Sequence, residues 1–249
     1  MKKTYLIILL LSMSLLYAQP EETVRSIYII DCPTAGSLDR GSYLVGIQAY
    51  SNGGLLGNIL VGLTDRFMLG VSYGGTNLIG AGPVDWNPLV GVNVRYRLFE
   101  EQISFPAISI GFDNQGRGAY IDSLQRYTDK SKGLFAAFSK SFRLLGTFAL
   151  HGGVNYSFEG AKEDRDLNAF LGFEKSINSE ISLFAEYNLA LDDNEPISIG
   201  NGKGYLNAGL KWAFQGRLFI DFVWKDILKN NAINQNSSRE IRISYVEYF

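Results

Sequence analysis

The stretch Val90-Gly91-Val92-Asn93-Val94-Arg95-Tyr96-Arg97-Leu98 decides the fold. Read at period two, one face is Val, Val, Val, Tyr, Leu and the other is Gly, Asn, Arg, Arg. Strict alternation of this kind is the signature of a strand with two unlike faces. The same pattern returns in Phe67-Met68-Leu69-Gly70-Val71-Ser72-Tyr73, in Ile181 to Leu189, and in the final stretch, where Ile241, Ile243 and Tyr245 alternate with Arg242 and Ser244. In a soluble sandwich the apolar face would meet a core and the polar face water. In a membrane barrel the apolar face meets lipid and the polar face lines the interior.

The connections decide between these alternatives. Twelve strands are expected, near 41–50, 56–64, 67–75, 89–98, 104–113, 133–142, 147–158, 167–175, 181–190, 204–213, 217–225 and 240–249. The gaps after the even-numbered strands are short, as in Asp65-Arg66 and Phe214 to Gly216. Those after the odd-numbered strands are mostly longer and more polar or glycine-rich, as in Thr76 to Pro88, Asn114 to Lys132, Leu191 to Lys203 and Asp226 to Arg239. An even strand count with short turns on one rim and long loops on the other is the outer-membrane pattern. The expected fold is therefore all-β, a closed antiparallel transmembrane β-barrel with short periplasmic turns and longer extracellular loops.

Aromatic positions agree. Phe67, Tyr73, Tyr96, Phe112, Phe148, Tyr156, Tyr187, Trp212, Trp224, Tyr245 and Phe249 share the apolar parity and cluster toward strand ends, where aromatic girdles sit. Phe249 ends the chain in an alternating strand and is read as the signal presented to barrel-assembly machinery. Glu247 departs from the apolar parity, which is tolerable near an interface.

The first residues read as an export address. Met1-Lys2-Lys3 is basic, Tyr5 to Tyr17 is almost unbroken apolar sequence, and Ala18 precedes a polar turn at Gln19-Pro20. This predicts a signal peptide over 1–18, a segment at the periplasmic side over 19–39, and a barrel over 40–249. Loss of Lys2 and Lys3 lowers the 23 basic side chains to 21 against 25 acidic, a net charge of −4. No basic stripe exists to neutralise phosphates, so nucleic acid is an unsuitable partner. Cys32 is the single cysteine, so an internal disulfide is impossible. Within residues 19–39, Ile27-Tyr28-Ile29-Ile30 is too apolar for a free tail, and before Pro33 it is expected to tuck into the periplasmic mouth or add a short strand.

Parity points Arg95, Arg97, Lys211, Lys225 and Arg242 inward, opposed by Asp113, Glu174, Glu186, Asp221 and Glu240. Five charges of each sign suit mutual ion pairing in a narrow or partly occluded lumen better than a selective filter. His151, the only histidine, also points inward, beside Asn155 and Ser157. It lacks the surroundings of a catalytic base, so no enzyme and no catalytic residue is expected. Asp192-Asp193-Asn194-Glu195 reads as a solvated or loosely cation-bound surface loop, and Lys162-Glu163-Asp164-Arg165-Asp166 as an exposed loop tip. Gly200-Asn201-Gly202-Lys203-Gly204 lacks the spacing of a phosphate-binding loop. No metal or cofactor is implied.

Asp31-Cys32-Pro33-Thr34-Ala35, Arg40-Gly41 and Gly62-Leu63-Thr64-Asp65-Arg66-Phe67, spanning roughly residues 29–75, resemble the start of a lipoprotein-like outer-membrane barrel family linked to exopolysaccharide production. That resemblance implies a role in secreting or modifying surface polysaccharide and carries over no catalytic residue. The leading expectation is a narrow conduit or accessory barrel for a solute or a surface polysaccharide. Its rival is a sealed structural barrel that displays its loops. Outer-membrane lipid, lipopolysaccharide and the assembly machinery are the implied partners, with saccharide or small solutes in the lumen.

Overall fold

The computed structural model describes residues 26–233 and 236–249. The leader expected over 1–18, and the portion 19–25 of the segment that follows it, lie outside the described residues.

Twelve strands build the wall. They are β1 (Ser42–Tyr50), β2 (Gly54–Gly62), β3 (Phe67–Thr76), β5 (Gly91–Phe99), β6 (Ala107–Asp113) and β9 (Gly133–Arg143), followed by β10 (Thr147–Tyr156), β11 (Leu167–Ser176), β12 (Ile181–Asn188), β13 (Tyr205–Phe214), β14 (Leu218–Lys225) and β15 (Ser238–Tyr248). A short β4 (Asp85–Trp86) extends β3, and β7 (Arg117–Ile121) with β8 (Arg126–Asp129) forms a hairpin inside the loop between β6 and β9. Each expected strand falls on one of the twelve, with ends within three residues.

Wall neighbours are antiparallel throughout. β1 then pairs with β15, from Ser42 opposite Tyr248 to Ala49 opposite Ile241, and the sheet has no free edge. Closure satisfies every wall strand on both sides, which a segment in lipid requires because no water is there to serve a bare N–H. The short rim uses tight turns. Leu145 (φ 48) with Gly146 (φ 100), and Gln215 (φ 51) with Gly216 (φ 66), take positive φ at two adjacent positions, the geometry whose twist matches two-residue hairpins.

The faces are inverted relative to a soluble domain. Val45, Ile59, Val71, Val92, Leu171 and Phe222 stand on the outside, while buried polar and charged side chains outnumber buried apolar ones. Tyr73, Tyr96, Trp212, Trp224 and Tyr245 are exposed on the apolar face. Such an exterior is stable against lipid and not against water. The chain is a transmembrane β-barrel of the bacterial outer membrane. Glu247 lies at the short-turn rim, where it accepts from Arg217 at 2.6 Å and Tyr245 at 2.7 Å. Phe249 stacks on Tyr43 with 5.4 Å between ring centroids, and its N–H donates to Gly41.

Residues 26–39 differ from expectation. They neither rest at the mouth nor join the sheet; they enter the lumen. Ser26 and Asp39 lie toward the short-turn rim, and Asp31-Cys32 form the apex near the long loops. Their apolar side chains find an apolar patch inside the wall: Ile29, Ile30 and Cys32 pack with Phe135, Ala137, Phe170, Phe184 and Val223. Ile27 and Leu38 pack with Leu60, Met68 and Val246. Gly172 makes room, since a Cβ there would come 2.5 Å from Ile29 Cδ1. Burial of that much apolar surface is worth more inside the lumen than at a wet rim.

Candidate functional site in the barrel lumen

The two legs of the buried turn pair in part with each other, Ile29 N–H with Cys32 O and Thr34 N–H with Ile27 O, and the remaining backbone groups must be satisfied by the wall. β12 supplies Glu186, whose Oε2 accepts the N–H groups of Ile30 (3.0 Å), Asp31 (3.0 Å) and Cys32 (2.9 Å). Three successive amides converging on one carboxylate form an anion nest. β5 supplies Arg95, whose Nη1 donates to the carbonyls of Ile27 (2.8 Å), Thr34 (3.1 Å) and Gly36 (2.7 Å). Ser139 Oγ accepts Ala35 N–H at 2.8 Å, and Ser109 Oγ donates to Ala35 O at 2.9 Å. At the apex, Asp31 accepts from Arg242 of β15 at 2.9 Å and from Lys225 of β14 at 2.6 Å, and Arg242 also donates to Ile30 O. Tyr28 donates to Asp113 at 2.6 Å and accepts from Asn93 at 2.6 Å. Ser26 donates to Glu174 at 2.6 Å and accepts from Lys211 at 2.7 Å.

Of the sequence-derived lumen candidates, Arg95, Asp113, Glu174, Glu186, Lys211, Lys225 and Arg242 thus meet on the inserted segment. Arg97 is buried but sits at the short-turn rim, 3.8 Å from Glu100, away from it. Asp221 faces the narrow space beside the segment, and among the described residues it has no ion pair within 4 Å. His151 Nδ1 lies 2.8 Å from Ser139 Oγ on the neighbouring strand, and not against Asn155 or Ser157. That hydroxyl is already the acceptor for Ala35, so the contact is a relay that seats the segment.

The expectation of wall charges neutralising one another holds for Lys211 with Glu174 (3.2 Å) and Arg242 with Glu240 (3.2 Å). It fails for Arg95, Glu186 and Asp113, which turn to the segment. Backbone groups of a buried turn cannot be left unpaired, and these side chains were the donors and acceptors within reach.

The long-loop side is closed by a second layer. The hairpin β7–β8 leans inward, with Arg117 3.8 Å from Asp31 and Asp129 paired to Lys225. Asp192, Asp193 and Asp164, expected as solvated loop residues, are buried. Arg126 forms a two-pronged pair with Asp193, the longer contact being 3.2 Å; Tyr205 donates to Asp193 at 2.6 Å, and Lys130 pairs with Asp164 at 2.7 Å. A carboxylate loses its reason to stay in water once an arginine fork is placed against it in a dry setting. Glu159 accepts the N–H groups of Tyr127 and Ser131, and burial pushes its carboxyl above the usual range. Burial raises Asp192 likewise, with Lys132 and Lys130 opposing.

Segment and loops divide the lumen. A cavity of about 580 Å³ lies below, bordered by His151, Glu174 and Lys211. One of about 460 Å³ lies above, under the long loops, and a narrow space of about 130 Å³ runs beside the segment. Asp31, Arg117, Arg126, Asp164 and Asp193 were missed from sequence as site residues. The one available signal was the apolar run Ile27 to Ile30 lying ahead of a barrel whose interior is charged.

No protein-family model matches the sequence, and no curated protein matches it. Among solved structures the chain is similar to the KdgM porin, at 10% identity over 84% of this chain and 99% of that one, with a TM-score of 0.47. It is also similar to the NanC porin, at 11% identity over 83% of this chain and 99% of that one, with a TM-score of 0.44. At these values nothing about ligand or partner passes to this chain.

Proposed function

We propose that this barrel is a narrow, non-enzymatic conduit of the outer membrane, held closed at rest by residues 26–39. The carrying observation is how the segment is held. Its contacts with the wall are hydrogen bonds, ion pairs and apolar packing, all reversible, and outside the apolar patch the wall around it is polar. A lumen freed of the segment would offer polar solutes a hydrated path lined by both charge signs. Small solutes are the cargo of this reading, and an accessory part in moving surface polysaccharide is its wider form. Its Phe249 end would be read by the assembly machinery, and its apolar belt would contact lipid and lipopolysaccharide.

A sealed barrel displaying its loops is the second reading. It draws on the buried Arg126–Asp193 and Lys130–Asp164 pairs, which fix the loops in one arrangement. Single-channel recording of the refolded protein in planar bilayers separates the two. The conduit predicts a weakly conducting wild type and frequent openings once the segment is loosened by Glu186→Gln. A barrel that stays silent in both forms sinks the conduit and favours the sealed one.

A further inference from the structure

The cavity of about 460 Å³ between the long loops and the apex of the segment has its own chemistry. Its size is within the roughly 300–1,000 Å³ of small-molecule sites. The loops at 114–132 and 189–204 that form much of its lining are held by the ion pairs just described. Nearly every charge at this rim has a partner: Lys130 has Asp164, Lys225 has Asp31, and Asp193 has Arg126.

Two charges do not. Lys132, only 6% exposed, lines the cavity with no carboxylate within 4 Å among the described residues; Glu186, Asp192 and Asp31 act on it from farther away. Asp192, 4% exposed, lines the same cavity and likewise has no cation within 4 Å of its carboxylate among the described residues. Charged groups that line a cavity without a close protein partner are available to a ligand that supplies the missing acceptor or donor. An ammonium offers donors only and a carboxylate acceptors only, whereas a hydroxyl serves both. Carboxylates outnumber lysines seven to three around the cavity, which disfavours an anion, and Lys132 disfavours a cation.

We propose that this vestibule binds a small neutral polyol, of mono- or disaccharide size, with Lys132 donating to its hydroxyls and Asp192 accepting from them. The biological sense rests on the conduit reading; the binding itself does not. Asn188 and Asn207 line the same cavity and add amide groups suited to further hydroxyls.

The test is titration calorimetry on the full chain refolded in detergent, with sucrose as probe and gluconate and putrescine as charged comparisons. Wild type is expected to bind sucrose more tightly than either charged compound. Lys132→Met removes charge-assisted bonds and is expected to weaken sucrose about tenfold or more. Asp192→Asn, an isosteric change, gives an independent reading if the lysine variant misfolds, as judged by its unboiled migration on gels. Tighter binding of gluconate or putrescine, or variants that titrate like wild type, overturns the site. So does a wild type that ignores sucrose while the Glu186→Gln barrel conducts, an outcome that leaves the conduit standing. Sucrose binding to a barrel that never conducts supports the site and removes the conduit.

Discussion

Glu186 Oε2 accepts the backbone N–H of Cys32 at 2.9 Å, which pins the only cysteine of the chain at the apex of the inserted segment. The thiol is fully buried there (0% exposed), so it reports whether the apex is seated. Thiol reactivity requires access as well as ionisation. Cys32 in the folded wild type is expected to resist a maleimide. Glu186→Gln keeps the shape but replaces charge-assisted bonds to three amides, each worth about 1.5–3 kcal/mol. Labelling should then accelerate by about tenfold or more. Equal labelling of folded and denatured wild type would falsify the seated segment.

Arg95 holds three carbonyls from two legs of the segment with a single nitrogen. Arg95→Met strips the donor from the Thr34 and Gly36 carbonyls, at about 1–3 kcal/mol for each that water does not reach, while Ile27 O keeps the Thr34 N–H at 3.0 Å. The wall itself is untouched. Hydrogen exchange is expected to rise across residues 26–39 and to stay unchanged in β10 to β12. Uniform exchange changes through the wall would mean that Arg95 supports the barrel more than the segment.

Adjacent residues on β5 have opposite fates. Val92 is 38% exposed to lipid and Asn93 is 5% exposed, donating to Tyr28. Val92→Arg is expected to cost up to about 2–4 kcal/mol, less if the site lies toward the rim. From parity alone, Asn93→Arg looks mild. With Tyr28 against it, the larger side chain must displace the segment. Urea unfolding in vesicles should therefore detect Val92→Arg strongly, while Asn93→Arg should register in Cys32 labelling. The opposite assignment of the two readouts would show the register to be wrong.

The loop lattice makes a separate prediction. Both side chains of the Arg126–Asp193 pair are buried, and removing one partner strands the other charge at about 3–5 kcal/mol. Arg126→Gln is expected to release the loops at 114–132 and 189–204 to protease attack. Heat-modified migration of the barrel should persist, because the pair meets the wall at Tyr205, at the end of β13, and no pairing between wall strands runs through it. Loops that stay protected would show that the pair is dispensable.

The wall was legible because period two survives any error in strand ends: a face assigned at Val92 is correct at Val94 and Tyr96 whatever the boundary. The lumen was legible as a set of inward charges and not as a set of partners. Glu186 spends its charge on three backbone amides, and backbone groups carry no identity in a sequence. Arg126 and Asp193 lie 67 residues apart on different loops, and Asp192-Asp193 alone reads as wet. The apolar run Ile27 to Ile30 did announce burial. Its depth in the lumen depended on the apolar patch from Phe135 to Val223, contributed by strands far apart in the chain.

Both legs of the inserted segment return to the same rim, so it can withdraw in one direction only. A push from the loop side moves it along its exit, and a push from the turn side seats it harder. Its only charged side chains are Asp31 and Asp39, both acidic, and Asp31 is the one deep in the lumen. A positive potential on the turn side therefore draws Asp31 outward, with up to about 2.3 kcal/mol per 100 mV if a full charge crossed the whole field. If the barrel conducts as proposed, it is expected to rectify in an oriented bilayer, opening at the polarity that draws Asp31 toward the turn side and holding at the other.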